Sequence, residues 1–245
     1  RSSIVRHLSL FSGGGGELLA SNHILGWDTV GYVEWVDYRQ QIIKARIKDG
    51  YLHEAPIFGD IDTFISEGYA GSYKGMVDVI TAGFPCQGWS AIGKHAGESD
   101  KRNKWPQTLE AIRIIRPRYV QLENSTNIIS KGFIGRIIKD LSALGYVGQY
   151  TRLSGLHVGA YSKRERAWVK AELSDSIGIG LQRRDNFIKG WEAKNGSVQA
   201  LGKDIVRMDL PDPGAFRANH WNPRRVDRTK TIGDMQIPSV AAAAW

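Results

Sequence analysis

Short apolar or β-branched runs alternate with amphipathic stretches over roughly the first 170 residues, the pattern of βαβ units wound around a mostly parallel sheet. The runs predict strands over 5–10, 29–34, 77–82, 119–123 and 148–153, with one more around 166–171. Between them, apolar positions recurring every three to four residues predict helices over 17–25, 38–47, 105–116 and 133–144. Pro117 stops the third helix, and Leu144-Gly145 reads as a helix ending at a glycine cap. Farther along, the period degrades until a short closing helix begins near Pro238.

Composition adds a partner class to this α/β outline. The 245 residues, 42% hydrophobic, suffice for one sizeable core with a small appended lobe. The net charge of +8 favours a polyanionic partner, because lysines and arginines that displace condensed counterions gain free energy from their release. The irregular stretch 176–230 holds 11 Lys/Arg against 6 Asp/Glu, interspersed with Trp191, Phe216 and Trp221. Cations for phosphates and flat rings for exposed bases suit a nucleic-acid-contacting lobe, with Arg183, Arg184, Arg224 and Arg225 as candidate contacts. The same stretch also reads as a solvated variable loop. No apolar run approaches the ~18 residues of a membrane span, and the N-terminal residues lack the pattern of a secretory signal. A single cysteine excludes an internal disulfide and a thiolate metal clamp. A cytoplasmic protein with no membrane and no metal partner is expected.

The segment Leu10-Phe11-Ser12-Gly13-Gly14-Gly15-Gly16-Glu17 carries a strand through four glycines into a helix. Such a loop lets a ligand approach the main chain where doubly wound sheets bind nucleotides. Alone it serves NAD, flavins and S-adenosylmethionine alike. Glu34, eighteen residues after Gly16, ends the next strand, where a carboxylate can accept from both ribose hydroxyls. Trp35 offers a surface on which adenine can stack, and Asp60-Ile61 places another acid after a short extended segment, suited to an adenine amino group. The three features in order favour an adenosine-containing ligand.

The only cysteine, Cys86, lies in Gly83-Phe84-Pro85-Cys86-Gln87-Gly88-Trp89-Ser90, at the carboxyl end of the strand predicted over 77–82. A lone cysteine is commonly a buried apolar residue. Placed in a Gly/Pro-shaped loop at a strand end, it is also a candidate nucleophile.

With Pro85-Cys86-Gln87 preceded by the glycine loop and followed by Glu123-Asn124, the chain resembles the cytosine carbon-5 DNA methyltransferase family. Phe11 to Gly16 fits the family's FxGxGG cofactor loop, Glu34 its ribose-binding acid and Asp60 its adenine contact. Arg164 and Arg166 fit its RxR pair, and Gly233 with Pro238 its entry to a C-terminal cofactor helix. The closing residues look most like small phage-borne and bacterial members. The resemblance implies a Rossmann-like S-adenosylmethionine-dependent methyltransferase fold, α/β with a mostly parallel sheet and a reduced target-recognition lobe. It implies a catalytic and cofactor-binding unit over 1–172, a target-recognition region over 173–224, and a segment over 225–245 that returns to the first unit. It further implies Cys86, Glu123, Arg164 and Arg166 as catalytic residues. Phe11, Ser12, Gly13, Gly15, Gly16, Glu34, Trp35, Asp60, Ile61, Phe84, Pro85 and Asp234 would then face the cofactor, and Gln87 and Ser90 the double-stranded DNA.

The family chemistry explains the residue types. Carbon 5 of cytosine is a poor nucleophile until a thiolate adds at carbon 6, charge moves toward ring nitrogen 3, and an acid offsets it there. The base must leave the duplex stack to be reached. The chain departs from the family pattern at Tyr161-Ser162, at Ser125 and at Asp234. Tyr161, Ser162 and Asp234 keep open a catalytically silent DNA-binding relative, and the catalytic set keeps open a tRNA cytosine methyltransferase. A dinucleotide oxidoreductase leaves the PCQ and RxR segments unexplained. The short recognition region implies a small footprint, help from a partner or oligomer, or relaxed specificity, and a nuclease partner also stays open.

Overall fold

Leu8, Leu10, Val79, Ile80 and Val120 are almost wholly buried, and runs this apolar belong in a sheet covered on both faces. A computed structural model describes residues 4–85, 103–159, 162–174 and 236–245. In it, strands β1 (Arg6–Leu10), β2 (Asp28–Val33), β3 (Ile57–Phe58), β4 (Val79–Ala82), β5 (Tyr119–Ser125), β6 (Tyr146–Leu153) and β7 (Arg166–Leu173) form one sheet. Their order is β3-β2-β1-β4-β5-β7-β6. The pairings among β1 to β5 are parallel, while β7 runs antiparallel between β5 and β6. The mostly parallel α/β sheet expected from the hydrophobic pattern is therefore present.

Strand order reverses between β1 and β4, and the crevice at the carboxyl ends of such a pair is where open α/β sheets bind ligands. The glycine loop leaves β1 at this point and the Gly83-Phe84-Pro85 turn leaves β4 beside it. Around the sheet lie α1 (Gly16–Leu19), α2 (Asp37–Lys48), α3 (Ile61–Ser66), α4 (Tyr69–Ser72), α5 (Trp105–Ile115), α6 (Asn127–Ser130), α7 (Phe133–Ala143) and α8 (Pro238–Ala243). Ile112 and Ile115 of α5 and Ile137 and Leu141 of α7 share a buried cluster with Leu8, Ile80 and Val120. Each such side chain contributes about 1.5–3 kcal/mol through removal from water.

Several elements differ from the pattern reading, the unforeseen four-residue helix α6 among them. The expected helix over 17–25 is a short α-turn followed by a π-helical stretch, Ala20–Ile24. The Ser21 hydroxyl bonds the Glu17 carbonyl (3.2 Å) and carboxylate (2.6 Å), and a side chain inserted into the main-chain ladder widens it. Strand β3 and helices α3 and α4 carry too few residues to show a period.

Beneath the glycine loop is a buried polar network. His7 Nε2 lies 3.1 Å from Glu17 Oε1 and 2.7 Å from Thr81 Oγ1, and His7 Nδ1 lies 2.9 Å from Thr29 Oγ1. The Ser9 hydroxyl donates to Glu17 Oε2 at 3.0 Å. Burial, the largest single influence on Glu17, pushes its pKa up; attraction to His7 and hydrogen bonds from His7, Ser21 and Thr81 together outweigh it, and the net shift is downward.

Residues 236–245 cover one face of the sheet. Val240, Ala241 and Ala242 pack with Ala20, Val158 and Trp168, and Gln121 Nε2 donates to the Ala241 carbonyl at 2.8 Å. The Lys170 ammonium bonds the Trp245 carbonyl and sits 4.3 Å from the centre of its ring. Burial pushes Lys170 down to about 8, with Glu172 opposing. Trp245 meets Trp27 (4.6 Å) and Tyr119 (5.1 Å) edge-on. Among the described residues, no helix is long and apolar enough to cross a membrane, and no cluster of His, Cys, Asp and Glu could hold a metal ion.

Candidate active site

The glycine loop has the backbone its composition demands. Gly13 (φ +61°) and Gly15 (φ +95°) are left-handed, and the non-glycine Phe11 joins them at φ +57°. A non-glycine residue held there costs of order 1–3 kcal/mol, and such positions concentrate at ligand sites. Gly16 is needed for a different reason: a β-carbon on it would lie 2.0 Å from the Gln236 carbonyl oxygen. The segment before α8 thus rests directly on the loop. The Ser12 hydroxyl turns back to the Ser9 carbonyl at 3.2 Å.

Glu34 is only 4% exposed, yet it is a connector as well as a candidate ligand contact. Its Oε2 accepts the Gly13 N–H (2.7 Å) and its Oε1 the Val36 N–H (2.8 Å), while Gln40 Nε2 donates to its carbonyl (2.6 Å). One carboxylate therefore ties the loop after β1 to the turn after β2 and still has lone pairs for two hydroxyls. Next to it the Trp35 ring is 72% exposed, a free stacking surface. Asp60 holds the extended position just before α3 and makes no side-chain capping hydrogen bond to it. Ile61 and Phe84 are buried in the core, 2% and 3% exposed. Pro85 is exposed.

At the adjoining strand ends, Glu123 of β5 and Arg166 of β7 form an ion pair, Oε1 to Nε 2.9 Å. The register explains the meeting. Arg166 is opposite Ser125, and Glu123 lies two residues from Ser125, hence on the same face. Burial, the largest influence, pushes the Glu123 pKa up; Arg166, Arg164 and a hydrogen bond from Gln236 oppose it, and the net shift is upward. Glu123 thus retains a proton more readily than an ordinary carboxyl group. Its neighbour Asn124 donates to the Phe84 carbonyl (3.0 Å) and accepts the Ser125 N–H (2.9 Å), pinning the turn after β4 to β5. Lys104 N–H donates to the Pro85 carbonyl at 3.2 Å, so the chain is back at that turn before α5. The Phe84 ring packs 5.4 Å from Trp105. Beyond the arginines, an open depression of about 560 Å³ is lined by Thr126, Ser154, Leu156, His157, Lys163 and Glu165.

The candidates Glu34, Trp35, Asp60, Glu123, Arg164 and Arg166 thus lie at or near the carboxyl ends of the sheet with the glycine loop. Cys86, Gln87, Ser90, Tyr161, Arg183, Arg184, Arg224, Arg225, Gly233 and Asp234 lie outside the described residues, as does the expected target-recognition lobe. Sequence reasoning missed Gln236, which touches both the glycine loop and Glu123. No periodicity or motif position points to it.

The C-5 cytosine-specific DNA methylase family matches residues 5–203. Type II methyltransferase M.NgoMIV of Neisseria gonorrhoeae is 26% identical over 97% of this chain and 71% of its own length. Type II methyltransferase M.HaeII of Haemophilus aegyptius is 32% identical over 86% of this chain and 68% of its own. The chain spans about half or less of several other relatives. In fold, it is similar to the S. pombe Dnmt2 methyltransferase, with a TM-score of 0.52, 21% identity, and coverage of 71% of this chain and 52% of that one. The chain belongs to the C-5 cytosine-specific DNA methylase family.

Proposed function

We propose that this protein transfers a methyl group from S-adenosylmethionine to carbon 5 of a cytosine flipped out of duplex DNA. The observation that carries the reading is the partly buried Glu123–Arg166 pair, with Asn124 fastening the turn that leads to Cys86. A proton-retaining acid and a cation next to the turn that leads into the cysteine, beside a nucleotide-type glycine loop, support this chemistry.

The residues present fit the cofactor. Gly13 and Gly15 open the main chain to it, Glu34 keeps acceptor capacity for its ribose hydroxyls, and Trp35 offers a free ring for its adenine. When bound, S-adenosylmethionine supplies an electrophilic methyl group on a sulfonium sulfur. The rest is the work of this chain. Cys86 adds to carbon 6 of cytosine as a thiolate, and its sulfur leaves again once the proton on carbon 5 has gone to a base. Glu123 gives its proton or a hydrogen bond to ring nitrogen 3 as charge accumulates there. Its raised pKa suits that task. Arg166 orients the carboxyl group and holds the base oxygen, with Arg164 adding positive charge beside it. The basic residues of 173–224, Arg183 and Arg184 among them, together with Arg224 and Arg225, contact the phosphates of double-stranded DNA.

Transfer of a radiolabelled methyl group to duplex DNA and to tRNA, measured side by side, tests the substrate. Label in duplex DNA as 5-methylcytosine is expected. Label confined to tRNA, or none in either with the cofactor bound, would contradict the reading.

A further inference from the structure

We propose that the Gln236 carboxamide is the positioning residue for Glu123, holding its carboxyl group against the turn after β4 and exchanging donor for acceptor as Glu123 loses or gains its proton. That role rests on the proton donation proposed above. The placement is specific. The Gln236 main chain presses on Gly16, and its side chain reaches Glu123 with a hydrogen bond. A β-carbon on Gly83 would lie 3.2 Å from Gln236 Nε2 and 3.3 Å from Glu123 Oε2, so both groups crowd the bare Gly83 Cα. One residue therefore links the glycine loop, the turn before Cys86 and the acid.

Gln236 Oε1 is buried and has no hydrogen-bond partner among the described residues. Native proteins rarely leave such an atom unpaired without a reason. The chemistry of the pair supplies one. An ionised carboxylate only accepts, whereas a protonated carboxyl group also donates one O–H. With Glu123 ionised, Gln236 Nε2 donates and Oε1 is idle. With Glu123 protonated, a half-turn of the amide lets Oε1 accept the carboxyl O–H.

The other groups facing Glu123 cannot do this. Arg166 of β7 and Arg164 before it only donate, so they favour the ionised form. The turn after β4 contributes no titratable side chain as far as Pro85. Gln236 is thus the one described partner able to serve both states of a group whose task is to give up a proton and recover it. The bond to the ionised form is charge-assisted and the stronger of the two.

The test is the carboxyl-carbon NMR titration of Glu123 in the whole protein, assigned by its absence in Glu123→Gln. Gln236→Met keeps length and apolar volume but neither donates strongly nor accepts. Its Glu123 midpoint is expected above that of the wild type, and kcat is expected to fall about tenfold, as for one charge-assisted hydrogen bond. The KM for S-adenosylmethionine should hold. Gly83→Ala, which wedges a methyl group between the two side chains, is a second variant with the same expected direction of shift. Glu123 midpoints equal to the wild type in both variants would overturn the role. Shifted midpoints in the variants of a protein whose wild type transfers no methyl group would support the positioning and overturn the methyltransferase reading instead.

Discussion

Glu123→Gln is expected to lower kcat by about 10²–10⁴-fold, the range that a well-placed general acid contributes. The amide has the same shape and can still hydrogen-bond, but it cannot deliver a proton to ring nitrogen 3. Because that proton matters only as charge builds on the ring, the loss should fall on kcat, while the KM for S-adenosylmethionine stays within a few-fold of the wild type. Single-turnover methyl transfer at saturating DNA measures it. The pH dependence has a definite sign. The Glu123 pKa is raised, with burial outweighing Arg166, Arg164 and Gln236, so the protonated fraction is largest below its folded value and is lost as pH rises through it. Wild-type single-turnover rates should therefore carry an alkaline limb from this group, and Glu123→Gln should lack it. A rate within threefold of the wild type would remove Glu123 from the reaction.

The second large effect is on stability. Glu17→Ala is expected to destabilise the fold by about 3–5 kcal/mol, because it removes an acceptor shared by several buried donors, each of which costs about 1–3 kcal/mol when left unpaired. For a chain of this size that is on the order of 10 °C in Tm. The substitution leaves His7 facing no carboxylate and strips the Ser9 and Ser21 hydroxyls of their acceptor. The Glu17 pKa is lowered on folding, so its stabilisation is fully present above the ordinary carboxylate value of 4.5 and is lost as pH falls through the depressed folded value. Denaturant curves of wild type and variant should stay separated at neutral pH and converge only in acid. The network ties β1, β2, β4 and α1 together under the cofactor loop, so a loosened loop should accompany the lower Tm.

Glu17 also marks the limit of what the pattern of residues reveals. It starts the helix predicted over 17–25, and nothing in the residues beside it marks it for burial. It is buried because His7 and Thr81 come from two different strands, and no local period records such a meeting. β1 and β4 are legible because their burial is continuous along the chain, β5 because three successive residues near its start are buried, and α5 and α7 because their buried faces recur at helical spacing. Two-residue β3 has no room for a period. In the site, Glu34, Glu123 and Arg166 stood out by their place in an ordered set of motifs. Gln236 did not, since its contacts with Gly16 and Glu123 span more than a hundred residues of chain. The second role of Glu34, as a clamp between two loops, likewise depends on main-chain N–H groups that every residue carries.

In the proposed reaction the Cys86 sulfur attacks cytosine at a site governed by Glu123. Duplex DNA bearing 5-fluorocytosine should trap that attack, because a fluorine on carbon 5 cannot leave as a proton and the sulfur stays bonded to carbon 6. With S-adenosylmethionine present, a protein–DNA adduct that survives denaturation is predicted for the wild type and none for Cys86→Ala. The opposite result, cofactor bound and ordinary duplex DNA methylated at carbon 5 with no adduct formed on the fluorinated duplex, would contradict it.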